Sequence, residues 1–92
     1  MNVDEIRNYV KASYVSQVEV CVLRTVEAVR VRFMFKLKNG ESHLLYSSRG
    51  EPRESRSLNA AGKLMHSLNI AGYKVTECDA EEWADKFVGL AQ

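Results

Sequence analysis

The run Arg49-Gly50-Glu51-Pro52-Arg53-Glu54-Ser55-Arg56-Ser57 holds the only proline of the chain, three arginines and a serine placed to start a helix. Proline pre-sets φ and glycine frees it, so the run reads as a shaped loop rather than a tether. Arginine, in place of lysine, suits planar, two-pronged contacts to phosphate or carboxylate. Its position at the mouth of a helix, where free N–H groups and the helix dipole attract negative charge, points to the same chemistry. Gly50 is a turn glycine, because Arg-Gly-Glu-Pro lacks the G-x-x-x-x-G-K spacing of a phosphate-cradling loop.

Materials for covalent chemistry are thin. Cys21 is a potential nucleophile with His43 or His66 as its base, yet no spacing in the sequence brings them together, and His66 reads as an ordinary helix-surface residue. Two histidines and two cysteines without a C-x-x-C or H-x-x-x-H pair do not form a metal motif, and no cofactor is expected. Asp79, Glu81, Glu82 and Asp85 read as dipole-compatible residues in the first turns of a helix rather than as a carboxylate pair. The chain is therefore expected to bind and not to catalyse.

Charge is unevenly spread. The formal net charge is +1, but residues 24–63 carry nine Lys and Arg against four Glu, whereas residues 64–92 carry two Lys against five acids. A basic centre followed by an acidic tail gives one surface that meets anions and another that repels them. With 92 residues and 46% hydrophobic content the chain reads as a single compact domain over residues 1–92. Cys21 and Cys78 are too few for a disulfide scaffold and are expected to be reduced thiols. No apolar run reaches membrane-spanning length, and Met-Asn-Val-Asp-Glu-Ile is polar where a signal peptide is basic and then apolar. A cytoplasmic location in a bacterial host, with no membrane partner and no small-molecule substrate, is the expectation.

The elements that must position the arginines follow from periodicity. Asn2 and Glu5 have capping-box spacing ahead of Val3, Ile6 and Val10, predicting a helix over 3–13. Val18, Val20 and Val22 alternate as a half-buried strand. Val29, Val31, Phe33, Phe35 and Leu37 form the apolar side of a second strand whose other side carries Arg30, Arg32, Met34, Lys36 and Lys38. Asn39-Gly40 predicts a two-residue type I′ turn, which would set Lys38 opposite Glu41, Lys36 opposite His43, Phe35 opposite Leu44 and Phe33 opposite Tyr46. Ser57 caps a helix with the stripe Leu58, Ala61, Leu64, Met65, Leu68 and Ala71, stopped by Gly72. Gly62 inside that helix fits close packing. A short strand over 73–77 and a helix capped by Asp79 and Glu82, carrying Trp83, Phe87 and Leu90 and ending near Ala91, complete the order α-β-β-β-α-β-α. The fold class is α+β, an antiparallel sheet with helices packed mainly on one face. The face without phenylalanines is then the cationic one, left open to water or a partner.

The α-β-β-β-α order, with Ser57-Leu58-Asn59-Ala60-Ala61-Gly62-Lys63-Leu64-Met65-His66-Ser67-Leu68 behind basic residues, resembles the double-stranded-RNA-binding domain. That resemblance implies that Arg53, Arg56 and Lys63 straddle phosphates at the start of the second helix. The segment Leu44-Leu45-Tyr46-Ser47-Ser48-Arg49-Gly50-Glu51-Pro52-Arg53, with Ser57-Leu58-Asn59-Ala60-Ala61 and the Gly72-Tyr73-Lys74-Val75 strand, is similar to a plasmid partition-associated (ParC-like) pattern. In format, a single small α+β domain without tail or cofactor, the chain also resembles phage anti-CRISPR proteins, which act by occupying sites on a host complex. The functional expectation is an inhibitor from a mobile element that occupies the nucleic-acid-binding surface of a type I-like CRISPR surveillance complex, a host protein–RNA assembly. The alternative is an accessory protein that binds RNA or DNA phosphates directly. In either case the recognition surface is expected to be Arg30, Arg32, Lys36, Lys38, Arg49, Arg53, Arg56 and Lys63.

Overall fold

Asn2 accepts from the Glu5 backbone at 2.9 Å while the Glu5 carboxylate accepts from the Asn2 backbone at 3.1 Å, so the predicted box starts helix α1, Val3–Lys11. The structure is a computed structural model and describes residues 1–88. After α1 come β1 (Val15–Arg24), β2 (Val29–Leu37), β3 (Ser42–Leu44), α2 (Leu58–Ser67), β4 (Lys74–Cys78) and α3 (Ala80–Lys86), in the predicted order. Ser57 and Asp79 cap α2 and α3, the latter in a second capping box with Glu82. Leu90 and Ala91 lie outside the described residues.

The four strands run in the order β3-β2-β1-β4. β1, β2 and β3 are antiparallel, and β4 joins the outer edge of β1 in parallel, so the sheet is mostly antiparallel. Alternation along the strands sorts two faces. Val18, Val20 and Val22 pair with Phe35, Phe33 and Val31, and this row packs with Ile6 of α1 and Ala61 and Met65 of α2 into the main core. Phe33 and Phe35 are completely buried there. On the opposite face Cys21, Leu23 and Cys78 form a smaller core with Trp83 of α3, flanked by Met34 and Phe87.

Two helices on one face and one on the other keep the expectation of a mainly one-sided packing. The expectation of an open second face does not hold, because α3 lies across it. The chain reverses there through β4: Thr76 and Cys78 line the same side as Cys21 and Leu23, and α3 starts two residues later.

The β2–β3 hairpin also differs from the predicted one. Its loop is three residues, Lys38-Asn39-Gly40, closed by Leu37 N–H to Glu41 O at 2.8 Å and Gly40 N–H to Leu37 O at 3.0 Å. Only Gly40 takes a left-handed backbone, φ +92°, where a type I′ turn demands it of Asn39 as well. The Asn39 amide instead accepts from Glu41 N–H at 3.0 Å and donates to the Glu41 carboxylate at 2.8 Å. The register is therefore Lys36–Ser42, Phe35–His43 and Met34–Leu44, one residue from the predicted pairing. A one-residue slip exchanges faces. It is Leu45, with its N–H on Phe33 O at 3.0 Å, that enters the main core, while Leu44 is buried in the Met34 register and Tyr46 is only half-buried.

Candidate anion-binding surface

Residues 45–57 are strapped to the free side of β2. Tyr46 bridges Pro52, Arg53 N–H donates to Leu45 O at 2.9 Å, and Ser55 exchanges both backbone bonds with Val31 at 2.9 and 3.0 Å. Between them Ser47 N–H reaches Glu51 O at 2.7 Å and Gly50 N–H reaches Ser47 O at 3.0 Å, with Gly50 at φ +80°. This repeats the geometry of the Lys38–Gly40 loop: a glycine in the left-handed region closing a three-residue turn, followed by a glutamate. The proline-bearing run is thus a small hairpin with a fixed tip at Arg49.

The charges of this strap divide into two groups, and Glu54 makes the division. Its carboxylate takes Arg30 in two prongs, Nε to Oε1 at 2.9 Å and Nη2 to Oε2 at 2.6 Å, and also takes Arg32 Nε at 2.8 Å. Both guanidinium groups stack on the Trp83 ring, at 5.4 Å for Arg30 and 4.8 Å for Arg32, and Arg32 lies 4.9 Å from the Phe87 ring. Hydrogen bonding from Arg30, with further help from Arg32, holds the Glu54 carboxyl below the usual carboxylate value, and the same contact raises Arg30. The Arg32 side chain is only 16% exposed. Arg30 and Arg32, predicted as part of an open basic stripe, instead hold the strap and α3 to the sheet.

Arg49, Arg53 and Arg56 are exposed, and among the described residues no carboxylate lies within ion-pair distance of any of them. Arg56 shares with Ala28, Val29, Arg30, Glu54 and Ser55 a groove of about 620 Å³, and it immediately precedes the Ser57 cap, whose Oγ accepts from Ala60 N–H at 3.0 Å. Arg53 lines a separate depression with Asn2, Asp4 and Tyr46. Lys36 and Lys38 are exposed on the β2–β3 side, and Lys63 stands on α2 beside Leu58 and Tyr73. The eight predicted residues are thus distributed over the strap, the β2–β3 hairpin and α2 instead of forming one continuous face.

A second polar centre, unanticipated from the sequence, lies under α3. Lys86 meets Glu19 at 3.1 Å, and the Thr76 hydroxyl donates to the other Glu19 oxygen at 2.6 Å. Burial pushes the Glu19 carboxyl up, but the bonds from Thr76 and Lys86 outweigh it and hold the carboxyl low. Cys21 next to it is fully buried, its thiol pushed up to about 12 by burial and by the Glu19 charge. A thiol so raised is a poor nucleophile. His66 belongs to α2 on the opposite face of the sheet, and His43 pairs with Phe35, whose side chain also points to that face. The sheet therefore separates Cys21 from both histidines.

Among the described residues no cluster of three His, Cys, Asp or Glu side chains has metal-binding geometry, and no helix is long and apolar enough to cross a membrane. No family model matches the chain, and no curated protein or solved structure is significantly similar to it.

Proposed function

We propose that this chain is a non-enzymatic binding protein of a mobile element that docks on a type I-like CRISPR surveillance complex and occupies its nucleic-acid-binding surface. The observation that carries this reading is the division made by Glu54. Arg30 and Arg32 are paired with Glu54 in holding the fold, whereas Arg49, Arg53 and Arg56, on a backbone-anchored strap, have no carboxylate partner among the described residues. The anchored backbone fixes where these arginines emerge, so that meeting an anionic surface costs side-chain freedom but no further ordering of the loop. α3 presents exposed Glu81, Glu82 and Asp85, so the protein offers acids to a basic subunit and arginines to a guide backbone.

A second reading, direct binding of duplex RNA, is favoured by α1 and α2 sharing one face of the antiparallel β1–β3 sheet, with Arg56 just before the α2 cap and Lys63 on the second turn of the helix. One experiment separates the two. Wild-type protein and an Arg53→Glu/Arg56→Glu variant are titrated against an assembled type I surveillance complex and against a free RNA duplex of unrelated sequence. The inhibitor reading expects tight binding to the complex alone, weakened by about 2–4 kcal/mol in the variant. Binding to free duplex with a steep salt slope selects the second reading. Unchanged affinity of the double variant for the complex removes the strap as the recognition surface.

A further inference from the structure

The two edges of the sheet are finished differently. On the β2 side, β3 is three residues long and the strap continues beside it, with Pro52 and the Val31–Ser55 bridge closing the edge. On the other side β4, Lys74–Cys78, has no proline and no irregularity, and among the described residues it makes no backbone–backbone hydrogen bond away from β1, the Thr76 carbonyl accepting only from the Cys78 thiol at 3.9 Å. An open edge of this kind is a template for another strand.

Exposed apolar side chains gather at the same edge. Val75 is 44% exposed, Tyr73 38% and Leu58 36%. Val75 pairs with Val20 and so lies on the side covered by α1 and α2. Tyr73 leans on α2, its hydroxyl 3.3 Å from where a Cβ on Gly62 would stand, so a larger residue there would displace the Tyr73 side chain by a few tenths of an ångström. Tyr73, Leu58, Lys63 and His66 line a groove of about 440 Å³ next to the edge.

We propose that β4 is a homodimer interface: two copies pair their β4 strands antiparallel about a two-fold axis at Val75, joining two four-stranded sheets into one. Side-chain alternation admits only registers that keep the α2 side of both copies on the same face. Centring on Val75 sets Val75 against its own copy, Lys74 against Thr76, and Tyr73 against Glu77 of the second copy. That last pair sets Glu77, whose carboxylate already accepts from Arg24 Nε of its own chain at 3.1 and 3.2 Å, beside Tyr73 at the groove that holds Lys63, so the second copy adds an Arg24–Glu77 ion pair to the rim of a groove whose helix has no acidic residue. Centring on Thr76 would instead set Glu77 against Val75, an apolar side chain. The diagonal approach of Lys74 to its own copy is exposed and screened by salt. In the dimer the arginine straps occupy the two outer edges, about 33 Å apart across seven strand spacings, so the particle is bivalent for whatever the straps bind.

The association is independent of the identity of that ligand and is tested without one. Sedimentation equilibrium of the wild type from about 1 to 100 µM should give twice the 10.4 kDa chain mass. Val75→Lys places two cations on the axis and should weaken the dimer by about tenfold or more, with helicity unchanged. Val75→Cys should cross-link to its copy on mild oxidation, since directly opposed positions lie within disulfide reach, while the wild type, whose thiols are buried, should not. The cross-link decides the matter if the lysine variant fails to fold. A single-chain mass at every concentration, an unweakened dimer in folded Val75→Lys, open-ended assemblies, or no cross-link in Val75→Cys overturns the proposal.

Discussion

The guanidinium carbon of Arg32 lies 4.8 Å from the centre of the Trp83 ring. Arg32 projects from the middle of the sheet and Trp83 from the last described helix, so this contact joins two regions of opposite charge in the sequence. Glu54 completes it from the strap by accepting Arg32 Nε at 2.8 Å. The basic centre and the acidic tail are therefore not two separate surfaces: the tail helix lies on part of the basic centre through the Trp83 and Phe87 rings, while the charge there is neutralised by Glu54 of the strap.

Removing the Glu54 charge should loosen both neighbours at once. Glu54→Gln keeps the shape but leaves Arg30 and Arg32 without a counter-ion, at a cost of about 1–2 kcal/mol, moderated because the carboxylate is 27% exposed. Chemical denaturation monitored by Trp83 fluorescence measures it. Arg53→Gln, by contrast, should leave the denaturation midpoint unmoved, because that side chain has no partner within the described fold. Equal losses in the two variants would refute the division of the arginines into structural and free groups.

Acid should act through the same contacts. Glu54 and Glu19 both sit below the ordinary value of 4.5 in the folded protein. Below that value the unfolded chain binds more protons than the folded one, so their stabilisation is complete above about pH 4.5 and is lost as pH falls through the folded values. Denaturation midpoints measured from about pH 6 to pH 3 should fall more steeply for the wild type than for a Glu19→Gln/Glu54→Gln variant. Parallel profiles would mean that other carboxylates dominate acid unfolding.

Cys21 should behave as a core residue. With its thiol pushed to about 12 and no exposed surface, reaction with a thiol reagent at about pH 8 should wait on unfolding, its rate rising with denaturant. Cys78, whose thiol burial also raises, should follow the same pattern. Rapid modification of either thiol in native buffer would show that α3 opens readily and exposes the sheet beneath it.

Local signals carried most of the fold into view. Asn2–Glu5 and Asp79–Glu82 announced their helices because each box is complete within four residues, and the Val–Phe alternation announced the buried face because its period is two. What stayed hidden depends on contacts far apart in the chain. Glu54 reads as one charge among arginines, and nothing local tells that it meets side chains 22 and 24 positions away. Trp83 reads as an ordinary helix anchor, yet which face of the sheet it covers is fixed by β4 running parallel to β1 at the outer edge. The same holds for Glu19 and Lys86, which share an ion pair but no motif. The arginine strap itself was legible as a shaped loop, while the pairing of Arg30 and Arg32 with Glu54 was not.

The β2–β3 turn distinguishes the two registers by the backbone each demands of Asn39. A two-residue type I′ turn puts both Asn39 and Gly40 at positive φ, so replacing either by alanine would be similarly costly. In the three-residue loop only Gly40 is at positive φ, and a Cβ there meets nothing within 4 Å, so the cost of Gly40→Ala is conformational alone, about 1–2 kcal/mol. Asn39→Ala forfeits two exposed bonds to Glu41 and should cost less than about 1 kcal/mol. The register has a matching signature in the core. Leu45, fully buried among Phe33 and its neighbours, should lose about 2–5 kcal/mol on truncation to alanine, whereas truncating half-buried Tyr46 should cost clearly less. Equal costs at Asn39 and Gly40, together with a larger loss at Tyr46 than at Leu45, would restore the two-residue turn and return Tyr46 to the core.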